Sequence, residues 1–336
     1  MKLAVIGDVH IADVAPSTRK DDYKETVLGK LKFIIDRVNA DPAYKAILMV
    51  GDLFHKKIPF HNSHSMISAL LALFGQSKCP IYIIPGNHDI HGNMSTFENQ
   101  PMNVLIESGV LKMLDGSTPV ELYSNDAGLE TRVSLNGCPF RQTMESKSAV
   151  AEYELKHLEN ADFRISMFHQ MILPDGKKFF LDYVNFSDLQ DVHTDMIICG
   201  HYHEGFTPSV CKVGEMYFVN GGSITRGTAE QANFEKAPKF VTLEILKLPF
   251  EVRVKYADTL IPYLDAKDVF DFTVIERNKK KKDMHEFMDG LSEMENQALS
   301  TQEPTGIMNA LKLLGMEKRL EPLIQHYLDE AYIALN

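Results

Sequence analysis

The sequence predicts a mixed α/β protein built from layers of sheet and helix. Short apolar runs rich in β-branched residues alternate with segments of helical period, a pattern typical of such layered domains. Of the 336 residues, 44% are hydrophobic and 24% charged, which is the balance of a globular protein. No run approaches the roughly 18 apolar residues needed to cross a bilayer. We therefore expect a large globular domain with an appendage and no membrane association.

The elements of this domain can be placed along the first 200 residues. Strands are predicted at 3–6, 46–50, 81–84, 164–168 and 196–199. Between the first two strands, apolar residues from Val27 to Val38 recur at the spacing of one helix face. A second helix is predicted to take Asn62 as its N-cap and to run through Phe74.

The chain changes character after about residue 205. Strand-like segments at 216–220, 240–246 and 251–256 indicate further sheet. We predict a first domain over 1–245, followed by a reduced cap and basic linker over 246–282 that ends in four lysines. Two amphipathic segments predict a helix-loop-helix over 283–336. Because its apolar stripes have little core of their own to join, this tail is predicted to bind a partner helix.

Charge and cysteine content restrict the function. The formal net charge of −11 argues against binding nucleic acid through bulk positive charge, so a polyanionic substrate needs a local site. The four cysteines form no C-x-x-C pair, which argues against a disulfide framework and against a thiolate zinc site. The N-terminal sequence shows no signal-peptide pattern, and we expect a cytoplasmic protein.

Metal-binding side chains follow each of the five predicted strands. They are two aspartates, one asparagine and four histidines: Asp8, His10, Asp52, Asn87, His169, His201 and His203. Ligands converge at the carboxyl ends of strands in open α/β sheets, so these residues are expected to meet. A mixed oxygen and nitrogen set suits Mn²⁺, Fe²⁺ or Zn²⁺. Seven ligands are enough for two divalent ions that share a carboxylate.

These five blocks resemble the calcineurin-like metallophosphoesterases, whose D-x-H, G-D, G-N-H-D, H and G-H-x-H motifs occur here in order over residues 8 to 203. The resemblance implies a layered sheet sandwich flanked by helices. It also implies that Asp8, His10, Asp52 and His203 hold one ion. The second ion would be held by the other three ligands together with Asp52 as the bridge. His88 would be the general acid or a phosphate contact.

Two details resemble the SbcD-type branch of DNA repair nucleases. His55 follows the bridging Asp52 by three residues, as the second catalytic histidine of that branch does, and the turn 220–223 is similar to its P-G-S turn without the proline. The resemblance implies an Mn²⁺-dependent 3'-5' double-strand exonuclease and single-strand or hairpin endonuclease. It further implies a homodimer that works with an SbcC-type SMC-like ATPase, bound through the C-terminal helices.

Two other functions fit the same residues. One is a metal-dependent phosphatase or small-substrate phosphodiesterase, and the other is a non-catalytic scaffold on the same fold. Several cations lie in loops expected near the metal face and are candidates for phosphate contacts. They are Arg19, Lys20, Lys56, Lys57, Lys177, Lys178 and Arg226.

Overall fold

Two six-stranded mixed sheets form the centre of the protein. The computed structural model describes residues 1–126, 128–229, 231–277 and 279–280. The described strands are β1 (Lys2–Ile6), β2 (Tyr44–Met49), β3 (Ile81–Ile83), β4 (Lys112–Met113), β5 (Val120–Asp126), β6 (Leu129–Cys138), β7 (Phe163–Phe168), β8 (Ile172–Leu173), β9 (Val184–Asn185), β10 (Met196–Cys199), β11 (Val210–Val213), β12 (Met216–Val219), β13 (Lys239–Lys247) and β14 (Val252–Leu260). The described α-helices are α1 (Tyr23–Asn39), α2 (His64–Phe74), α3 (Pro101–Glu107), α4 (Gln231–Glu235) and α5 (Ala266–Val269). The predicted α/β sandwich is confirmed.

The strand order places the predicted ligand strands at the centre of each sheet. The first sheet runs β14-β13-β1-β2-β3-β4 and the second β11-β12-β10-β7-β6-β5. In the first, β1 to β4 are parallel neighbours, and in the second β6, β7, β10 and β12 are parallel. The carboxyl ends of parallel neighbours meet at one edge of a sheet, so the loops that follow these strands lie together.

Three apolar layers hold the sheets and helices together. One lies between the sheets and contains alternate residues such as Leu3 and Val5 of β1 and Ile165 and Met167 of β7. A second packs the other face of the first sheet against α1, α2 and α3. The third covers the outer face of the second sheet. The central strands are therefore buried on both faces, which explains their continuous apolar runs.

Helices α1 and α2 begin where a side chain satisfies a free backbone N–H. Asp22 accepts from the N–H of Glu25, and Ser63 Oγ accepts from the N–H of Met66 at 3.1 Å. The prediction of Asn62 as the N-cap of α2 is wrong by one residue. Its side-chain amide instead donates to the carbonyl oxygens of Lys56 and Ile58 and holds the preceding loop.

The strand β14 lies beyond the predicted domain boundary at residue 245. It pairs with β13 from Lys239↔Leu260 to Lys247↔Val252, and the first compact unit runs from Met1 to Asp271.

The predicted helix-loop-helix over 283–336 lies outside the described residues, as do the last two lysines of the basic run. The division of that region stays a prediction. Within the described part of the chain, no helix is long and apolar enough to span a bilayer.

His157 lies between two buried serine hydroxyls of the second sheet. Its Nδ1 is 3.0 Å from Ser134 Oγ, and its Nε2 is 3.0 Å from Ser166 Oγ. Burial, helped by the positive charge of Arg164, lowers the pKa of His157 to about 4. In the unfolded chain His157 has its ordinary pKa of about 6.5. As the pH falls, His157 is therefore protonated in the unfolded chain before it is protonated in the folded chain.

We expect the His157 contribution to stability to be complete above pH 6.5 and to be lost as the pH falls towards 4. The loss should amount to about 1–3 kcal/mol in the free energy of unfolding. Urea midpoints of the wild type and of His157→Gln, measured in EDTA at pH 7.5 and 5, check this. The variant should show the smaller change with pH, and equal changes would contradict it.

Candidate metal centre

The loops after the central strands bring the predicted ligands into two clusters that share Asp52. One ligand atom from each of Asp8, His10, Asp52 and His203 lies within 4.8 Å of the others. The same holds for Asp52, His169 and His201. Asn87 joins the second cluster, because its Oδ1 is 3.1 Å from His169 Nε2. The structure therefore brings together all seven residues.

Short contacts link the members of the two clusters. His10 Nε2 is 2.9 Å from His203 Nε2 and 3.5 Å from Asp52 Oδ2. On the other side, Asp52 Oδ2 is 3.4 Å from His169 Nε2. The Nδ1 of His169 donates to the carbonyl oxygen of Val50 at 2.6 Å, which leaves Nε2 facing the cluster as the available ligand atom.

Three of the seven residues adopt left-handed backbone conformations. The φ angles of His10, Asp52 and His201 are 51°, 48° and 72°. Such conformations cost non-glycine residues on the order of 1–3 kcal/mol each and cluster at functional sites. Each one turns the chain two to four residues after the end of a strand. The fold thus maintains backbone strain at three of the seven predicted ligands.

Glycines precede three of the ligands because a β-carbon would collide with the site. A Cβ on Gly86 would lie 2.2 Å from Asp52 Oδ1, and one on Gly200 would lie 2.8 Å from His169 Nδ1. Gly51 has a φ of 101°, and a Cβ there would lie 2.5 Å from His169 Nδ1. A sharp turn requires glycine at position 51, whereas Gly86 and Gly200 are required by close packing.

Asp89, the last residue of the G-N-H-D block, holds two ligand loops together. Its buried carboxylate accepts hydrogen bonds from the backbone N–H groups of Leu53, Phe54 and Gly86 at 2.9–3.2 Å. Burial, together with the negative charge of Asp52, raises the pKa of Asp89 to about 7.

The turn 220–223 and the residue after it also hold two ligand loops together. The backbone N–H of Ser223 donates to the carbonyl oxygen of His203, and the backbone N–H of Ile224 donates to the carbonyl oxygen of Asp8.

The electrostatics of the clusters favour a bound cation. Burial lowers the pKa of His10 to about 3, so this imidazole is neutral and able to ligate. Burial also acts to lower the pKa of His169, but the carboxylates of Asp52 and Asp8 outweigh it and raise that pKa to about 10. The two buried aspartates thus draw a positive charge into the site.

Buried polar atoms without a hydrogen-bond partner indicate whether metal ions fit these residues. Asp8 Oδ2, Asp52 Oδ2 and His10 Nδ1 are buried without a hydrogen-bond partner. Leaving buried carboxylate oxygens unpaired is costly, and a divalent ion would satisfy them. The mixed set of carboxylate, amide and imidazole donors suits a transition-metal ion. The residues therefore fit two divalent ions, with Asp52 between them.

His88 and His55 lie beside the first cluster. The His88 and His10 rings are 4.9 Å apart, and those of His88 and His55 are stacked at 5.8 Å. The ring Nδ1 of His88 donates to the carbonyl oxygen of His55 at 2.8 Å. The backbone N–H of His88 donates to Asp52 Oδ1, also at 2.8 Å. Burial, helped by Lys56, lowers the pKa of His55 to about 4. His55 is therefore neutral at pH 7. The His88 ring lies closer to the His10 ring than the His55 ring does, at 4.9 Å against 5.7 Å, so His88 is the better placed proton donor.

Glu145 is a buried residue of the site that the sequence did not indicate. It ends the 3₁₀ segment Gln142–Glu145 and is only 4% exposed. Its Oε1 is 3.1 Å from His201 Nε2, while Gln142 Nε2 donates to its Oε2 at 3.0 Å. A carboxylate facing Nε2 favours the proton on that nitrogen and leaves Nδ1 as the ligand atom. Glu145 lies seven residues after the end of β6, too far for a strand-end pattern to mark it.

Replacing Glu145 by alanine is expected to weaken binding of one of two Mn²⁺ ions by about 10- to 100-fold. Glu145→Gln keeps an acceptor for His201 and should show a smaller loss. Calorimetric titration of the metal-free protein with Mn²⁺ measures both. Glu152→Gln, at an exposed position beside Arg141, serves as the control. Equal affinities in Glu145→Ala and the wild type would contradict the prediction.

Two of the candidate phosphate-contacting cations are buried within the fold instead. Arg19 pairs with Asp21 at 2.7 Å and donates to the Arg226 carbonyl oxygen at 2.6 Å. Arg226 is 2% exposed and donates to the Leu264 carbonyl oxygen. Because Arg19 and Arg226 are excluded from solvent, the expectation that they contact a substrate is wrong.

Lys56 and Lys57 are exposed and line a cavity together with His55, Asn87 and His88.

Comparisons with known proteins give a family match over the residues of this site and similarities to solved structures. The family model described as calcineurin-like phosphoesterase matches residues 1–205, a range that contains all seven ligands. No curated protein matches the chain. Among solved structures, the chain is similar to GAP50, the anchor in the inner membrane complex of Plasmodium, with 16% identity, 80% of this chain and 90% of that chain covered, and a TM-score of 0.47. It is also similar to TT1561 of Thermus thermophilus, with 11% identity, 76% and 98% covered, and a TM-score of 0.39. A third similar structure is a Vps29 double mutant from Entamoeba histolytica, with 15% identity, 77% of this chain and 99% of that chain covered, and a TM-score of 0.30.

Proposed function

This chain belongs to the calcineurin-like phosphoesterase family, and from that premise we propose that it is a two-metal phosphodiesterase that cleaves DNA. The observation that carries the proposal is the pair of ligand clusters joined at Asp52, with His88 beside them. His88 also lines two cavities of about 540 and 670 Å³, so its side chain can reach a substrate.

The proposed reaction assigns a role to each group. Two bound divalent ions would supply positive charge against the phosphodiester and a nucleophile at neutral pH. Asp8, Asp52, Asn87 and the histidine ligands would hold those ions, and Glu145 orients His201. His88 donates a proton to the leaving sugar oxygen, with its ring held by the His55 carbonyl. His55 stays neutral and supports the His88 ring.

Two further features support DNA as the substrate. His55 lies three residues after Asp52, as the SbcD-type resemblance expects of a nuclease, and its ring stacks with that of His88. Lys56 and Lys57 lie exposed on the same loop. We propose Mn²⁺-dependent 3'-5' cleavage of duplex ends and cleavage of single strands or hairpins. We further propose that the protein forms a homodimer and that residues 283–336 bind an SMC-like ATPase.

A divalent-ion-dependent assay tests the proposal. The wild type with Mn²⁺ should degrade duplex DNA, and chelation with EDTA should stop it. Nitrophenyl phosphate esters assayed in parallel distinguish the phosphatase alternative, which requires ester hydrolysis without DNA cleavage. Metal analysis tests the scaffold alternative, because a protein that binds no ions could not be a two-metal enzyme.

A further inference from the structure

Two adjacent phenylalanines line the same cavity as residues of the metal centre. Phe179 and Phe180 line the cavity of about 540 Å³ that Asp52, His88 and His201 also line. Phe180 is 86% exposed, although phenylalanine is usually buried. Single exposed apolar residues are common, but this one lines the cavity of the candidate metal centre. Its position, rather than its exposure alone, indicates a binding role.

The loop that carries these rings is held at its base and near its tip. At the base, β8 pairs with β9 on either side of residues 174–183. Near the tip, Lys177 Nζ donates to the Tyr202 hydroxyl and, at 3.0 Å, to Glu204 Oε2. Tyr202 and Glu204 flank the ligand His203, so the loop is joined directly to the segment that carries two metal ligands.

Phe179 supports Phe180 from below. The Phe179 ring packs against the apolar layer on the outer face of the second sheet, and it is only partly exposed. The ring centroids of Phe179 and Phe180 are 4.6 Å apart, with 35° between the ring planes. A partly buried ring in contact with an exposed one restricts the motion of the exposed ring, so the exposed ring needs less ordering when a ligand binds.

We propose that Phe180, supported by Phe179, stacks on an unpaired nucleobase of a strand whose phosphate lies at the metal centre. This inference rests on the proposed DNA-cleaving function. Aromatic side chains beside a phosphate-binding site bind bases in this way without regard to sequence, because every base has a flat π-face. The base must leave its partner to stack, so the platform favours single-stranded or frayed DNA ends. Lys178 is exposed beside Phe179, where it can contact the strand backbone.

Binding of a fluorescent single-stranded oligothymidylate with cleavage-resistant phosphorothioate linkages, measured in Mn²⁺, tests the platform with the metal centre filled and without catalysis. Phe180→Ala should raise the Kd about tenfold, within the range measured for loss of one stacked base. Phe180→Trp should bind as tightly as the wild type or more tightly. The matched control is Phe250→Ala, which removes a fully exposed ring from the β13–β14 turn and should leave the Kd unchanged.

An oligomer of abasic deoxyribose phosphates identifies what the ring contacts. The wild type should bind it about tenfold more weakly than oligothymidylate, and Phe180→Ala should cause no further loss. An unchanged Kd for oligothymidylate in Phe180→Ala, or an equal loss on the abasic oligomer, would overturn the inference. Mn²⁺-dependent cleavage of oligothymidylate by the wild type is measured separately. Its absence would refute the proposed function, whereas cleavage with unchanged Phe180→Ala binding would refute the platform alone.

Discussion

Replacing Asp52 by asparagine is expected to remove both metal ions and to reduce phosphodiester hydrolysis at least about a thousandfold. Asp52 belongs to both ligand clusters, and its Oδ2 is 3.4 Å from His169 Nε2 and 3.5 Å from His10 Nε2. The neighbouring imidazoles hold the pKa of Asp52 well below its usual range against the effect of burial, so the carboxylate stays charged. An amide removes the charge that both ions share.

Asparagine is the better test than alanine because Asp52 has a φ of 48°. Asparagine tolerates the left-handed conformation, whereas alanine would add backbone strain to the loss of ligands. Calorimetry with Mn²⁺ measures stoichiometry, and circular dichroism checks the fold. The matched control is Asp36→Asn, at an exposed ion pair with Lys32 on α1. A variant that still binds two ions per chain would show that Asp52 is not the bridge.

The sequence predicted which side chains come together, because residues that follow parallel strands can be recognised from their order along the chain. Each predicted ligand lies within four residues of a strand's end, as Asp8 does after β1 and His169 after β7. Buried parallel strands are continuous apolar runs and are easily recognised. The polar residues after them are therefore conspicuous. Convergence in space also required the two sheets to pack with the carboxyl ends of β1 to β3 and of β7 and β10 at the same end, as in the sandwich that the resemblance implied.

The features that sequence reasoning missed depend on packing. The long strand β6 carries Ser134 and Asn136, whose buried polar groups are satisfied by His157 and by the carbonyl of Lys156, so its pattern does not look like a core strand. Glu145 meets His201 only through the tertiary fold. The left-handed backbone at His10 could not be predicted either, because histidine has only a weak preference for that conformation.

The second large effect is expected from His88→Asn, which should keep both ions but lower kcat on DNA about 10²- to 10⁴-fold. His88 is in neither of the two ligand clusters that contain Asp52. Its Nδ1–H donates to the His55 carbonyl, a contact that an asparagine amide can replace. The variant therefore loses the proton donor while the loop geometry is retained.

Leaving-group dependence separates proton donation from phosphate binding. A nitrophenolate is stable without protonation, whereas a sugar alkoxide is not, so a general acid matters far more for DNA than for a nitrophenyl ester. His88→Asn should accordingly lose much more activity on DNA than on bis(nitrophenyl) phosphate. His91→Asn, at an exposed histidine three residues further on, is the matched control and should retain wild-type rates on both. Equal losses of His88→Asn on the two substrates would assign His88 to phosphate binding, because a contact to the phosphate oxygens serves both reactions alike.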